Sequence, residues 1–136
     1  MSKVNFYDLG EIEDSLLIFA VIVSRYNNKW VYCKHKNRAW EIPGGQRKAG
    51  ENILETAKRE LFEETGAVEF DLKPVCIFVF TDTEKYGLLC YADIKKLGSL
   101  PDNSEIDRVD FFDNEPENLS FPDIYPKLFE KIFTFY

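Results

Sequence analysis

The hydrophobic positions of this chain fall into blocks of two different periods. Residues 15–24, SLLIFAVIVS, form one continuous apolar run rich in Ile and Val, as expected of a strand buried on both faces. The polar turn Tyr26-Asn27-Asn28-Lys29 leads into a second strand over 30–34. Residues 40–42 read as a third, short strand, stopped by Pro43-Gly44-Gly45. Two glycines after a proline let the backbone turn sharply and approach a ligand closely. From Glu51 to Thr65 the period becomes helical: Ile53, Leu54, Ala57, Leu61 and Phe62 recur at that spacing, and Gly66 supplies the stop. This register sends Leu61 and Phe62 toward the core. Residues 70–81 and 86–93 read as two strands joined around 82–85, and 106–112 as a last short strand. Residues 121–135 carry Ile124, Leu128 and Ile132 at helical spacing, with Pro126 in the first turn of a C-terminal helix.

One helix between blocks of strands cannot supply the repeated crossovers of a doubly wound sheet. The order predicts an α/β (α+β) architecture with a mixed sheet between helices. The chain has 136 residues, 45% of them hydrophobic, including 12 Phe, which supports one packed domain spanning 1–136 rather than disorder. No apolar run approaches the ~20 residues of a membrane span, and residues 1–10 lack a basic start followed by an apolar stretch. The expected location is therefore the cytoplasm. The three cysteines, Cys33, Cys76 and Cys90, are scattered and form no Cys-x-x-Cys pair. That pattern fits small buried side chains better than a disulfide framework or a zinc site. His35, the single histidine, reads as a surface residue at a strand end. A net charge of −7 argues against long nucleic acid as a partner, since that binding rests on Lys and Arg.

The chemistry concentrates in residues 45–67, GQRKAGENILETAKRELFEETGA. On a helix, Glu60 and Glu64 are four residues apart and Glu60 and Glu63 three apart, so their carboxylates gather on one side of the last two turns. Like charges so placed weaken a bare helix, and a hard cation between them reverses the sign. A solvated acidic face is the ordinary alternative for such a helix. The fixed positions Gly45, Glu51, Arg59, Glu60, Glu63, Glu64 and Gly66, with apolar Leu61 and Ala67, resemble the Nudix box: Gly, five residues, Glu, seven residues, Arg-Glu-apolar-any-Glu-Glu-any-Gly-apolar. Every fixed position is filled.

The resemblance implies an α/β/α sandwich whose box forms a loop-helix-loop. It also implies a pyrophosphohydrolase that cleaves a diphosphate linkage with Mg²⁺, or Mn²⁺ in its place. Glu60, Glu63, Glu64 and the Gly45 carbonyl are the implied metal ligands. Arg59 reads as an orienter holding a box carboxylate through a forked ion pair, or else as a phosphate contact. Glu51 takes a structural role in the same comparison.

Many relatives carry a Glu where this chain has Lys48, so the charge reverses there; Lys48 is either a phosphate contact or an exposed loop lysine. Glu105, just before the last strand, matches the place where relatives often carry the general base; Asp107 is the runner-up, and ordinary loop charge the alternative. Trp40 and Arg38 stand next to the phosphate loop. Trp40 is a candidate for base stacking or for core packing, and Arg38 for phosphate contact or plain exposure. The expected substrate is a small nucleotide: a (d)NTP or an oxidised dNTP such as 8-oxo-dGTP, cleaved to monophosphate and pyrophosphate. ADP-ribose, a dinucleoside polyphosphate, an RNA 5′ end, or binding without cleavage are the alternatives.

Overall fold

Two apolar faces on one sheet, each covered by one helix, account for the architecture. The computed structural model describes residues 4–135; the first three residues of the amino-terminal stretch considered above lie outside them. The strands are β1 (Val4–Tyr7), β2 (Leu17–Tyr26), β3 (Lys29–His35), β4 (Trp40–Glu41), β5 (Gly44–Gln46), β6 (Ala67–Phe80), β7 (Tyr86–Leu97) and β8 (Ile106–Phe112). The α-helices are α1 (Ile53–Thr65) and α2 (Tyr125–Phe135), and a short 3-10 turn, Asp14–Leu16, precedes β2. The sheet runs β1-β6-β7-β2-β3-β4, with β5 added to β2 and β8 to β3. Only β2 and β7 pair in parallel among these strands, so the sheet is mixed.

Strand alternation sorts the core. Ala20 and Ile22 of β2, Val31 of β3 and Leu88, Cys90, Ala92 and Ile94 of β7 pack with Ile53, Ala57 and Leu61 of α1. Val23, Tyr32, Trp40, Phe78 and Leu89 point the other way and pack with Leu128, Phe129 and Ile132 of α2. The expected sandwich of helix, mixed sheet and helix is the observed fold. No helix among the described residues is long and apolar enough to cross a membrane.

Beyond β2, the sheet forks. At one end β2 pairs with β3 (Arg25 opposite Trp30), across a turn in which Asn27 and Asn28 both take positive φ. At the other end it pairs with β5 (Ala20 opposite Gly45), flanked by Ile22 N–H donating to Pro43 O at 2.8 Å and Arg47 N–H donating to Ile18 O at 2.8 Å. The Pro43-Gly44-Gly45 run is therefore not simply a stop. It re-enters the sheet as a strand, and glycine permits it: a Cβ on Gly44 would stand 2.5 Å from Ala20 O.

Helix α1 starts later than its periodicity suggests. Asn52 is the cap: its side chain accepts from Glu55 N–H, and the Glu55 carboxylate accepts from Asn52 N–H. Glu51 is thereby left outside the helix, free to turn back over it. Gly66 ends the helix at φ 80°, and its N–H donates to Phe62 O. Phe62 does not reach the core. It is 41% exposed while Leu61 is fully buried, because neighbouring helix positions diverge by about 100° and the buried stripe is the narrow one through Ile53, Ala57 and Leu61. Strands β6 and β7 run longer than their apolar stretches because they pair out to Ala67 and Leu97, with a register shift beside Pro74, which has no N–H to donate.

Candidate metal and catalytic site

Arg59 is the hub of the site. Its Nε donates to Glu51 Oε2 at 2.5 Å and one terminal nitrogen to Glu51 Oε1 at 3.0 Å, a forked pair. That nitrogen also donates to Gln46 O at 2.9 Å, and the other to Glu60 Oε1 at 2.7 Å and Glu63 Oε1 at 2.9 Å. Every donor direction of the guanidinium is occupied. This geometry favours orientation over phosphate contact. Glu51 also accepts from Lys48 N–H and Thr56 Oγ1, so it ties the loop before α1 to the helix. The Arg59 hydrogen bonds, helped by that loop N–H, hold the Glu51 carboxyl down at about 2.

Glu64 is the buried member of the box, with 8% of the residue exposed. Its Oε1 accepts from Gly44 N–H at 2.7 Å, and its Oε2 lies 3.0 Å from His35 Nε2. The three box glutamates do not meet at one point: Glu60 and Glu63 share Arg59, while Glu64 turns to Gly44 and His35. Burial pushes Glu64 up to about 8, and nearby Glu60, Glu41 and Glu63 add to it; burial also raises Glu60.

That shift has a sign. Between the ordinary carboxylate range and about pH 8 the folded chain holds a proton on Glu64 that the unfolded chain has released. Metal-free stability therefore falls as pH rises through that window. A cation favours the carboxylate, so binding near pH 7 expels the proton. Calorimetric titration of Mg²⁺ in buffers of different ionisation enthalpy should give heats that differ by that released proton. Identical heats in all buffers would rule it out.

Gly45 lies against Glu60. A Cβ there would stand 2.6 Å from both Glu60 carboxylate oxygens. Because the obstacle is the tip of a side chain, Gly45→Ala should displace Glu60 more than it disturbs the fold. The expected result is metal affinity reduced by about tenfold or more with a nearly unchanged thermal midpoint. A large drop in midpoint with intact metal affinity would contradict it.

A cleft of about 590 Å³ opens over these groups, lined by Glu60, Glu63, Glu64, Arg59, Lys48 and His35 on one side and residues 101 and 103–106 on the other. Glu105 is exposed on that second wall, and exposed Lys48 stands at the mouth. Ser104 Oγ donates to Glu63 O at 3.3 Å and fixes the wall to α1. Asp107 is exposed on β8. Arg38 is exposed and 3.8 Å from Glu41. Trp40 is 8% exposed, edge-on to Phe112, with Arg108 over its ring. It packs the core and offers no open face for a base.

His35 corrects the expectation of a surface residue. Its side chain is 13% exposed and held between Glu64 and Glu41, and Ser120 Oγ donates to Glu41 at 3.0 Å. Sequence reasoning missed Glu41 and Ser120, whose contacts come from segments far apart in the chain.

The NUDIX domain family model matches residues 16–132. The chain belongs to the NUDIX domain family. Among relatives of this NUDIX protein, the Bacillus subtilis protein provisionally named as the 8-oxo-dGTP diphosphatase YtkD is 36% identical over 101 residues. That match takes in 73% of this chain and 64% of YtkD. The 8-oxo-dGTP diphosphatase of Buchnera aphidicola is 51% identical over 35 residues, 26% of this chain and 28% of that protein. Both matches span less than two thirds of the relatives' own length. The crystal structure of the Bacillus subtilis pyrophosphohydrolase BsRppH superposes with a TM-score of 0.84 at 28% identity, covering 98% of this chain and 91% of that one.

Proposed function

We propose that this NUDIX protein is a divalent-metal-dependent hydrolase. It cleaves the diphosphate linkage of a nucleoside triphosphate, releasing the monophosphate and pyrophosphate, and an oxidised purine nucleotide such as 8-oxo-dGTP is the leading substrate. One observation carries the reaction: a buried carboxylate, Glu64, and two others held by one saturated arginine face a cleft with a further glutamate across it. The names of YtkD and the Buchnera protein support the substrate.

The donor set fits a hard divalent cation. It is made of oxygens, and Glu64, which burial keeps protonated in the metal-free chain, would offer a carboxylate there once a cation replaces that proton. Glu60, Glu63 and Glu64 would hold Mg²⁺, with the Gly45 carbonyl as a backbone donor. An ion bound there would supply neutralisation of the diphosphate charge and Lewis-acid polarisation of the phosphoryl group. Arg59 fixes the directions of Glu60 and Glu63. Glu105, reaching over from the far wall, takes the proton of the attacking water. Lys48 meets an outlying phosphate oxygen at the mouth.

The test is release of pyrophosphate and orthophosphate from a panel of nucleotides with Mg²⁺ or Mn²⁺. The panel holds canonical and oxidised triphosphates, ADP-ribose, dinucleoside polyphosphates and a triphosphorylated RNA. Pyrophosphate from 8-oxo-dGTP well above the rest supports the reading; turnover confined to another member replaces the substrate; no turnover on any member overturns the enzyme. Glu105→Gln on the preferred substrate should lower kcat with KM held, as loss of a general base requires.

A further inference from the structure

We propose that Cys33, His35 and Glu64 form a second cation site, for a thiophilic divalent ion such as Zn²⁺ or Co²⁺, behind the box glutamates. Cys33 and His35 are two apart on β3, so both side chains leave the sheet on the face that α1 covers, and Glu64 comes down from α1 to meet them. One donor atom from each residue lies within 4.8 Å of the other two. Donors around tetrahedral zinc stand roughly 3.5 Å apart, and His35 Nε2 and Glu64 Oε2 are already at 3.0 Å.

The donor types decide which ion. A sulfur, an imidazole nitrogen and a carboxylate oxygen suit Zn²⁺ and Co²⁺, whereas Mg²⁺ takes oxygen alone. The surroundings orient the donors: the Cys33 thiol donates to Glu41 O at 3.5 Å, and the Glu41 carboxylate stands 3.8 Å from His35 Nε2. On binding, the thiol proton leaves to solvent. Nothing is oxidised or reduced. Because Glu64 serves both sets, zinc there competes with the cation of the box for one carboxylate.

The site is tested by metal binding alone, so its failure is separate from any failure of the hydrolase reading. Co²⁺ added to the Mg²⁺-free full chain should produce a thiolate-to-cobalt charge-transfer band in the near ultraviolet, saturating at one equivalent. Cys33→Ser should abolish the band, and His35→Ala should weaken Co²⁺ affinity at least tenfold. Zinc X-ray absorption of the unaltered protein needs no variant to fold, and should show one sulfur at about 2.3 Å beside nitrogen and oxygen neighbours. Co²⁺ bound without the band, a band that survives Cys33→Ser, or a zinc shell of nitrogen and oxygen only would each overturn the proposal.

Discussion

Glu64→Gln should lower metal-dependent turnover by more than about a hundredfold while leaving the metal-free protein folded, and above about pH 8 no less stable than the parent. The magnitude follows from the proposed position: changing residues that merely support a metal ligand typically costs 10–100-fold, and Glu64 is proposed for the ligand set itself. The stability argument runs the other way from habit. Glutamine keeps the oxygen that accepts from Gly44 N–H and removes a charge that burial disfavours. The parent should gain thermal stability as Mg²⁺ is added, because the ion binds only the folded chain; the variant should gain little. Activity assays and thermal melts with and without chelator read both parts. Parent-like turnover in the variant would remove Glu64 from the site.

Arg59→Ala should be the most destabilising single change among the charged residues of the box. Glu51, Glu60 and Glu63 would lose their common partner, and their side chains are only 17%, 13% and 37% exposed. Removing one partner of a buried pair is strongly destabilising, and the solvent that reaches Arg59, Glu51 and Glu63 lessens that cost here. The expected result is a drop of several degrees in the melting midpoint. Arg59→Lys should rescue little, because one ammonium cannot reproduce a fork that reaches three carboxylates and a carbonyl. Saturating Mg²⁺ should recover part of the loss by neutralising Glu60 and Glu63. Melts in chelator and in Mg²⁺ test the pair of statements; a midpoint for Arg59→Ala within a degree or two of the parent in chelator would refute the first.

What could be read from the sequence was what repeats locally. The apolar run of β2, the helical period of α1 and the stop at Gly66 each follow from neighbours in sequence, and the box spacing pointed to the NUDIX family before any contact was known. What escaped depends on partners far along the chain. Strand β1 pairs with β6 at separations of 70–76 positions, and nothing in Val4–Tyr7 announces that partner. Strand β5 reads as a glycine turn until β2 is placed beside it. Helical spacing counted Phe62 as core, but it cannot show how narrow the covered stripe is. His35 reads as exposed because its burial comes from Glu64 and Glu41, on two other elements.

The parallel pairing of β2 with β7 also governs when the site can exist. Leu17–Tyr26 finds Tyr86–Leu97 only after the whole intervening segment, box included, has been made. Closing so long a loop is entropically costly and is characteristic of late folding events. A chain emerging from the ribosome therefore displays all three box glutamates before it has the sheet against which α1 packs and Glu64 is buried. A Mg²⁺ ion held by those glutamates, as proposed, would then be a passenger of folding rather than its template. Truncated chains ending before β7 should refold no faster with the ion than without it.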